Sequence, residues 1–307
     1  MLLLEHMKSL TFGEILWDII EGTEHIGGAP YNFAAHLAKL GAESYFISAV
    51  GEDDLGRRAI EYVGRHGIRP EYLSRVSDAP TGTVSVELEA GQPEYTIHEG
   101  VAWDKIRLSG DQLDAIRSVS WDIFYVGTLA QRSEMNRALV GELFSAVNAR
   151  HRFYDINLRQ HYYSQGIIEL ALKNATIVKL NHEESDLIGE MFRINGTGND
   201  EEHAARISKL FDIETLIITR GKEGSLVLYE NEFRRIPVVP VEVSDAVGAG
   251  DSFSAGFMFA LTHGKNPFEA AELGGALGSF VASQRGAIPE YSDEIKQRFA
   301  ALVKREG

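Results

Sequence analysis

The sequence predicts an α/β fold: a mainly parallel, doubly wound sheet with helices on both faces and a small β lid outside it. Three observations predict it. Short apolar runs that suit strands alternate with amphipathic runs that suit helices, the order that builds a parallel sheet. One segment, Thr81 to His98, breaks that order by alternating apolar and polar residues. Polar residues collect where strand runs end, at Asp155, Asn157 and Arg159, at Asn181 and Glu184, and at Thr219 to Gly224. In a doubly wound sheet these loops converge on one rim, outside the carboxyl ends of the strands, where such sheets bind ligands.

In chain order, Thr11 to Ile20 suits a first strand interrupted at Gly13 and Glu14, polar positions in a run that would otherwise be buried. After Gly27-Gly28-Ala29-Pro30 a helix is predicted from about Tyr31 to Leu40, with Gly41 as its stop. Asn32 falls in its first turn, either as a cap or facing the mouth of the sheet. Tyr45 to Val50 is a strand and Asp53 to Arg65 a helix. In Thr81 to His98, Val84, Val86 and Leu88 alternate with Ser85, Glu87 and Glu89; the chain turns at Ala90 to Pro93 and resumes with Tyr95 and Ile97. A hairpin with one apolar and one polar face does not fit the interior of a parallel sheet, which leaves a lid, or an edge or dimer hairpin.

From Trp121 the alternation resumes. Strands are predicted at Asp122 to Val126, Arg152 to Ile156, Ala175 to Leu180 and Leu216 to Ile218, with helices at Ser133 to Ala149 and Gly166 to Leu172. Ser225 to Pro237 suits an antiparallel pair at the sheet edge, and Phe233 to Val243 a strand-like run leading into the stretch described next. Pro267 to Arg285 is predicted as a last long helix. Its Gly274, Gly275 and Gly278 each cost about 0.5 to 1 kcal/mol relative to alanine, so a ligand or neighbouring element is expected close by.

Asp245 to Phe257, D-A-V-G-A-G-D-S-F-S-A-G-F, carries the chemistry. It joins a strand-like run to a helix-like run through Phe253, Phe257 and Leu261, so its backbone N–H groups point out of a helix N-terminus, an anion site. Gly248, Ala249 and Gly250 allow close approach. Asp251, held against the positive helix end, is expected to stay ionised and take a proton from a hydroxyl. A base beside a phosphate cradle points to phosphoryl transfer. The alternative is a strand-to-helix turn with Asp251 as a cap. The pattern is neither G-x-G-x-x-G nor G-K-[ST].

With 307 residues and 44% hydrophobic content the chain can bury a large core as one α/β domain. A net charge of −15 and a pI near 5.1 argue against nucleic acid or an anionic membrane as partner. Without cysteine there are no disulfides or thiolate metal sites, in keeping with a cytoplasmic location. The ten histidines show no metal-site spacing. No apolar run reaches the ~18 residues of a membrane span. Met1 to His6 suits a poorly ordered extension, with Met7 a candidate native start.

Together these motifs resemble the ribokinase-like (PfkB-type) carbohydrate kinases over nearly the whole chain. Gly27 to Gly41 is similar to the family's N-terminal signature and Asp245 to Phe257 to its C-terminal one. The runs G-E-I-L-W-D from Gly13 to Asp18, G-G-A-P, P-T-G-T-V-S-V-E-L, V-A-W-D and D-I-N-L-R look most like the fructokinase branch. The resemblance implies one three-layer α/β/α domain over residues 1–307, with a lid from about 16–27 and 81–100. It implies transfer of the ATP γ-phosphoryl group to a primary hydroxyl of a sugar, D-fructose first, with 2-keto-3-deoxygluconate, ribose or a nucleoside as alternatives. A catalytically silent sugar-binding relative and a dehydrogenase are more distant alternatives.

By the same resemblance, Asp251 matches the catalytic base and Gly248, Ala249 and Gly250 the anion hole, with Arg159 as a phosphate or substrate clamp. Asp18, Gly28 and Asn32 match sugar-holding positions, and Asn157 and Trp103 are expected beside them; Trp103 would otherwise be core. Asn181 and Glu184 match the motif tied to Mg²⁺, Glu184 acting through water. Thr219, Gly221 and Gly224 match the nucleotide loop, joined by Gly278. Asp245 matches a loop that in many relatives holds a monovalent cation such as K⁺, and the lid offers a surface for a homodimer. The chain departs from the pattern at Ala246, Ile26 and Leu273-Gly274-Gly275.

Overall fold

A computed structural model describes residues 7–89, 92–194 and 199–303. Met1 to His6 and the tip of the hairpin turn at Ala90 lie outside the described residues. The chain starts with β1 (Lys8–Phe12), β2 (Leu16–Ile20), β3 (Thr23–Gly27), α1 (Ala29–Leu40), β4 (Glu43–Gly51), α2 (Asp54–Arg65), β5 (Leu73–Val76), β6 (Thr83–Glu89) and β7 (Gln92–Ile97). Next come α3 (Gly110–Ser118), β8 (Ser120–Gly127), α4 (Glu134–Ala146), β9 (Asn148–Asp155), α5 (Gln165–Leu172), β10 (Ile177–Asn181), α6 (His182–Met191) and α7 (Asp200–Phe211). It closes with β11 (Thr215–Thr219), β12 (Ser225–Tyr229), β13 (Glu232–Ile236), α8 (Ala249–Thr262), α9 (Pro267–Ala282) and α10 (Asp293–Val303).

Nine strands form one sheet in the order β13-β12-β11-β10-β9-β8-β1-β4-β5. From β11 to β5 all neighbours are parallel, and β12 and β13 are antiparallel additions at one edge. The interior strands are buried on both faces, as apolar runs such as Thr215–Thr219 require. One core holds Leu10, Phe12, Phe124, Tyr154, Val178 and Leu216. A second packs Phe33, Tyr125, Phe153 and Ile217 against Phe257 and Leu277 of α8 and α9, and a third, smaller one joins Ile15, Trp17, Tyr31 and Phe46. Four strands, β3-β2-β6-β7, form a second, smaller sheet, in which β2 pairs parallel with β6 and the other pairs are antiparallel. Of the hairpin's apolar face, Val84 and Ile97 are buried; the side chains of Val86 and Leu88 lie outside the described residues.

The structure corrects several expected boundaries. Thr11 to Ile20 is two strands in two sheets, because the chain leaves the large sheet at Gly13, where an added Cβ would stand 2.1 Å from Pro30 Cγ. The helix expected over Ser133 to Ala149 ends at Ala146, and β9 begins at Asn148. The strand expected over Phe233 to Val243 ends at Ile236. Pro267 to Arg285 is α9 only as far as Ala282 and is not the last helix, since α10 follows. Among the described residues no helix is long and apolar enough to cross a membrane.

Candidate active site

From β1 the chain passes to β4 and β5 on one side, then crosses to β8 and runs outward to β11 on the other. Such a reversal leaves a crevice outside the carboxyl ends of the two strands at the switch. Here those strands are β1 and β8, and Gly13 to Ile15 and Thr128 to Arg132 follow them directly.

α8 begins beside this crevice. Its cap, Gly248, has φ 76°, and a Cβ there would meet Ala287 Cα at 2.7 Å, so only glycine fits without strain. The next turn is held from outside by Asp245, whose two oxygens accept the N–H groups of Val247 (3.0 Å) and Gly286 (3.1 Å). Ala249 N–H is turned back to Ala246 O at 3.3 Å. Asp251 lies in the first turn of α8, and Asn32 of α1 donates from Nδ2 to its Oδ2 at 2.8 Å. Asn32 is buried and its Oδ1 has no hydrogen-bond partner within the chain. Burial pushes the Asp251 carboxyl up to about 6; the Asn32 hydrogen bond pulls against this, the Asp155 charge adds to it, and Lys179 and Arg159 oppose it. The helix end therefore does not cancel the effect of burial, and the carboxyl is ionised mainly above pH 6.

Beneath the turn is a network of which sequence reasoning picked out only Asp155. Lys179 Nζ donates to both oxygens of Asp155 at 2.8 and 2.9 Å, and Ser254 Oγ donates to Asp155 Oδ2 at 3.0 Å. Lys179 Nζ lies 3.9 Å from where a Cβ on Gly250 would stand, placing a cation against the expected anion hole. Burial pulls this ammonium down, but the Asp155 carboxylate outweighs it and holds it above its ordinary value. A lysine inside the strand run Ile177 to Asn181 was the available signal.

Glu184 and Asn181 form a reciprocal cap of α6: Glu184 N–H donates to Asn181 Oδ1 and Asn181 N–H to Glu184 Oε2, both at 2.8 Å. The other oxygen of Glu184 accepts Leu158 N–H at 2.7 Å, so this carboxylate also fixes the loop after β9. In that loop Asn157 has φ 40°, Gln160 donates to Tyr95 O, and Tyr162 OH donates to Ile97 O at 3.1 Å, tying it to β7. Arg159 is exposed, and its charge acts on Glu14, Asp18 and Asp251 alike. Asp18 stands opposite His25 in the β2–β3 pair and leans over the diagonal Gly27, where a Cβ would lie 2.8 Å from Asp18 Oδ2. Burial raises the Asp18 carboxyl, with His25 and Arg159 opposing. Gly28 caps α1 at φ 113°, where a Cβ would stand 2.6 Å from Glu14 O.

On the opposite side, Asn181, His182, Thr219, Arg220 and Gly221 line a cavity of about 350 Å³. Gly221 and Gly224 have φ 53° and 87°, and Gly224 passes so close to Ile236 O that a Cβ would stand 2.0 Å away. Asp200, also absent from the sequence prediction, accepts from Arg220 and lies 2.8 Å from His182 Nδ1. Two expected site residues are engaged in packing. Trp103 is 1% exposed in the core, with the Arg132 guanidinium 3.9 Å from its ring centroid, so its face is covered. Gly278 packs on α8, where a Cβ would be 3.0 Å from Ala249 O; its glycine serves a helix contact.

Comparison with known proteins places this arrangement. The family described as pfkB family carbohydrate kinase matches residues 5–294. The chain is 28% identical to a fructokinase of Escherichia coli over 276 residues, covering 85% of this chain and 87% of that protein. It superposes on the structure of fructokinase with bound ATP from Xylella fastidiosa with a TM-score of 0.82 at 18% identity, over 97% of this chain and 98% of that one. On fructokinase from Vibrio cholerae O395 in its fructose, ADP and calcium ion bound form, the TM-score is 0.78 at 21% identity, over 97% and 99%. The chain belongs to the pfkB family of carbohydrate kinases, and it is a sugar kinase, an enzyme that transfers a phosphoryl group to a carbohydrate.

Proposed function

We propose that the enzyme transfers the γ-phosphoryl group of ATP to a primary hydroxyl of D-fructose, giving fructose 6-phosphate. The observation that carries this is the 2.8 Å bond from Asn32 to Asp251. It joins a sugar-side residue of the N-terminal signature to the carboxylate at the phosphate turn. Asn32 holds Oδ2 of Asp251, which leaves Oδ1 to take the hydroxyl proton. Asp18 and the unpartnered Oδ1 of Asn32 suit the hydroxyls of the sugar. The first-turn N–H groups at Gly248 and Gly250, with the Lys179 ammonium below them, favour negative charge on the transferring group. Arg159 supplies a mobile cation at the same place. The second sheet acts as a lid, excluding water that would otherwise accept the phosphoryl group.

Magnesium fits as a phosphate-bound ion. Among the described residues no three histidine or carboxylate side chains converge into a cage, and Mg²⁺ characteristically keeps several waters and needs only one or two carboxylates beside the phosphates. Glu184, through water, would flank it, and bound there it would neutralise phosphate charge. Asp245 is occupied by Val247 and Gly286, and we assign it to holding that turn rather than K⁺. The fructokinases of Xylella and Vibrio, described with ATP and with fructose and ADP, support the choice of donor and acceptor. An ATP donor and a chain without cysteine support a cytoplasmic location, and a second copy paired through the lid is tested by sedimentation.

The acceptor is tested by an ADP-release assay with ATP, Mg²⁺ and a panel of fructose, ribose, 2-keto-3-deoxygluconate and nucleosides. Fructose should give the highest kcat/KM. A higher value for another acceptor would replace it.

A further inference from the structure

Glu14 has no role in the chemistry described so far, yet it stands at the switch point. It follows β1 directly, and its backbone is pressed against Gly28, the cap of the helix that carries Asn32. The residue is 3% exposed, and Oε2 has no hydrogen-bond partner within the chain. Its electrostatic neighbours are Arg159, Asp251 and Arg132. Of these, Arg132 is already paired with Asp104 at 2.8 Å. Leaving a buried carboxyl oxygen unpartnered costs stability, and a fold concerned only with packing would be served better by an apolar residue in this position.

We propose that Glu14 is a sugar-contacting, specificity-determining residue, whose Oε2 takes a hydroxyl of a neutral polyhydroxy acceptor and disfavours an acidic one. It rests on the sugar kinase function above and deepens it. A hydroxyl suits this carboxyl in either protonation state, since the carboxylate accepts and the acid can also donate. The carboxylate of a sugar acid would instead meet the neighbouring carboxyls of Glu14 and Asp251. Of the two nearby guanidinium groups, only that of Arg159 is not held by Asp104. Burial pushes the Glu14 carboxyl up to about 7, with a hydrogen bond from its own backbone N–H, Arg159 and Arg132 opposing and Asp251 adding to the rise, in keeping with a group that partners hydroxyls instead of a cation.

The test compares wild type, Glu14→Ala and Glu14→Gln by ADP release on fructose and on 2-keto-3-deoxygluconate, with kcat and KM separated and melting temperature followed alongside. Losing one hydrogen bond to the sugar should raise KM for fructose about tenfold or more in Glu14→Ala, with kcat changed only a few-fold. Glu14→Gln, which keeps an acceptor and adds a donor, should recover most of that KM, and the preference for the neutral sugar should shrink in Glu14→Ala. An unchanged KM in Glu14→Ala, or activity lost in both variants in step with melting temperature, would overturn the role. So would a wild type that prefers the acid. If the wild type takes a different neutral sugar, fructose is wrong as the acceptor and the same variants are compared on that sugar.

Discussion

A base works only when ionised, and the Asp251 carboxyl is pushed up to about 6, chiefly by burial. The kcat/KM for the acceptor should therefore fall as pH drops through about 6 and level off above it; a profile flat down to pH 4.5 would remove Asp251 as the base. The Asp251 charge in turn raises the neighbouring Glu14 carboxyl. Glu14 also makes a stability prediction. Its carboxyl rises from 4.5 to about 7 in the folded state, so the fold favours its protonated form. That stabilisation is complete below 4.5 and is lost as pH rises through about 7, a difference of about 3 kcal/mol. Glu14→Gln should therefore raise the melting temperature at pH 8 and leave it nearly unchanged at pH 4; equal shifts at both pH values would show that Glu14 is not held in this way. Asp251 and Asn32 were legible because each sits in a glycine-marked stretch. Lys179 was not, since its partner Asp155 is 24 residues away, and a polar residue inside a strand gives no hint of which partner it has.

The α8 cap shows how a turn fixes chemistry. Gly248→Ala puts a Cβ on a left-handed residue against Ala287. It should cost about 1 to 3 kcal/mol and lower kcat as well as the melting temperature. Gly275 of α9 is the control, for nothing lies within 4 Å of a Cβ there; Gly275→Ala should be neutral or stabilise by about 0.5 to 1 kcal/mol. Equal effects of the two substitutions would mean that the shape of the turn does not matter. Helix and strand periodicity located most elements, but it joined β1 to β2, because both runs are apolar and only the fit of Gly13 against Pro30 separates them. The helices α3, α6, α7 and α10, whose polar faces dilute the apolar pattern, were not read at all. Gly278 was legible as a close approach, but the sequence could not say whether the approaching group is a ligand or, as here, α8.

At the scale of the molecule, the doubly wound order brings together residues 219 positions apart. Neither Asn32 on α1 nor Asp251 on α8 makes a site alone; the reversal between β1 and β8 opens the crevice beside which both helices start. The parallel sheet and the common rim were legible from the alternation of elements. That segments 16–27 and 81–100 belong together came from the resemblance alone; which strands pair, β2 parallel with β6, was not legible, because strand partners are a property of the packed chain. The account depends most on Asp251 taking the proton of the acceptor hydroxyl. The measurement that tests it most directly is steady-state ADP release by Asp251→Asn, with acceptor affinity followed by calorimetry. The account predicts kcat lowered by about a thousandfold with acceptor affinity nearly unchanged, and turnover within a few-fold of wild type would contradict it.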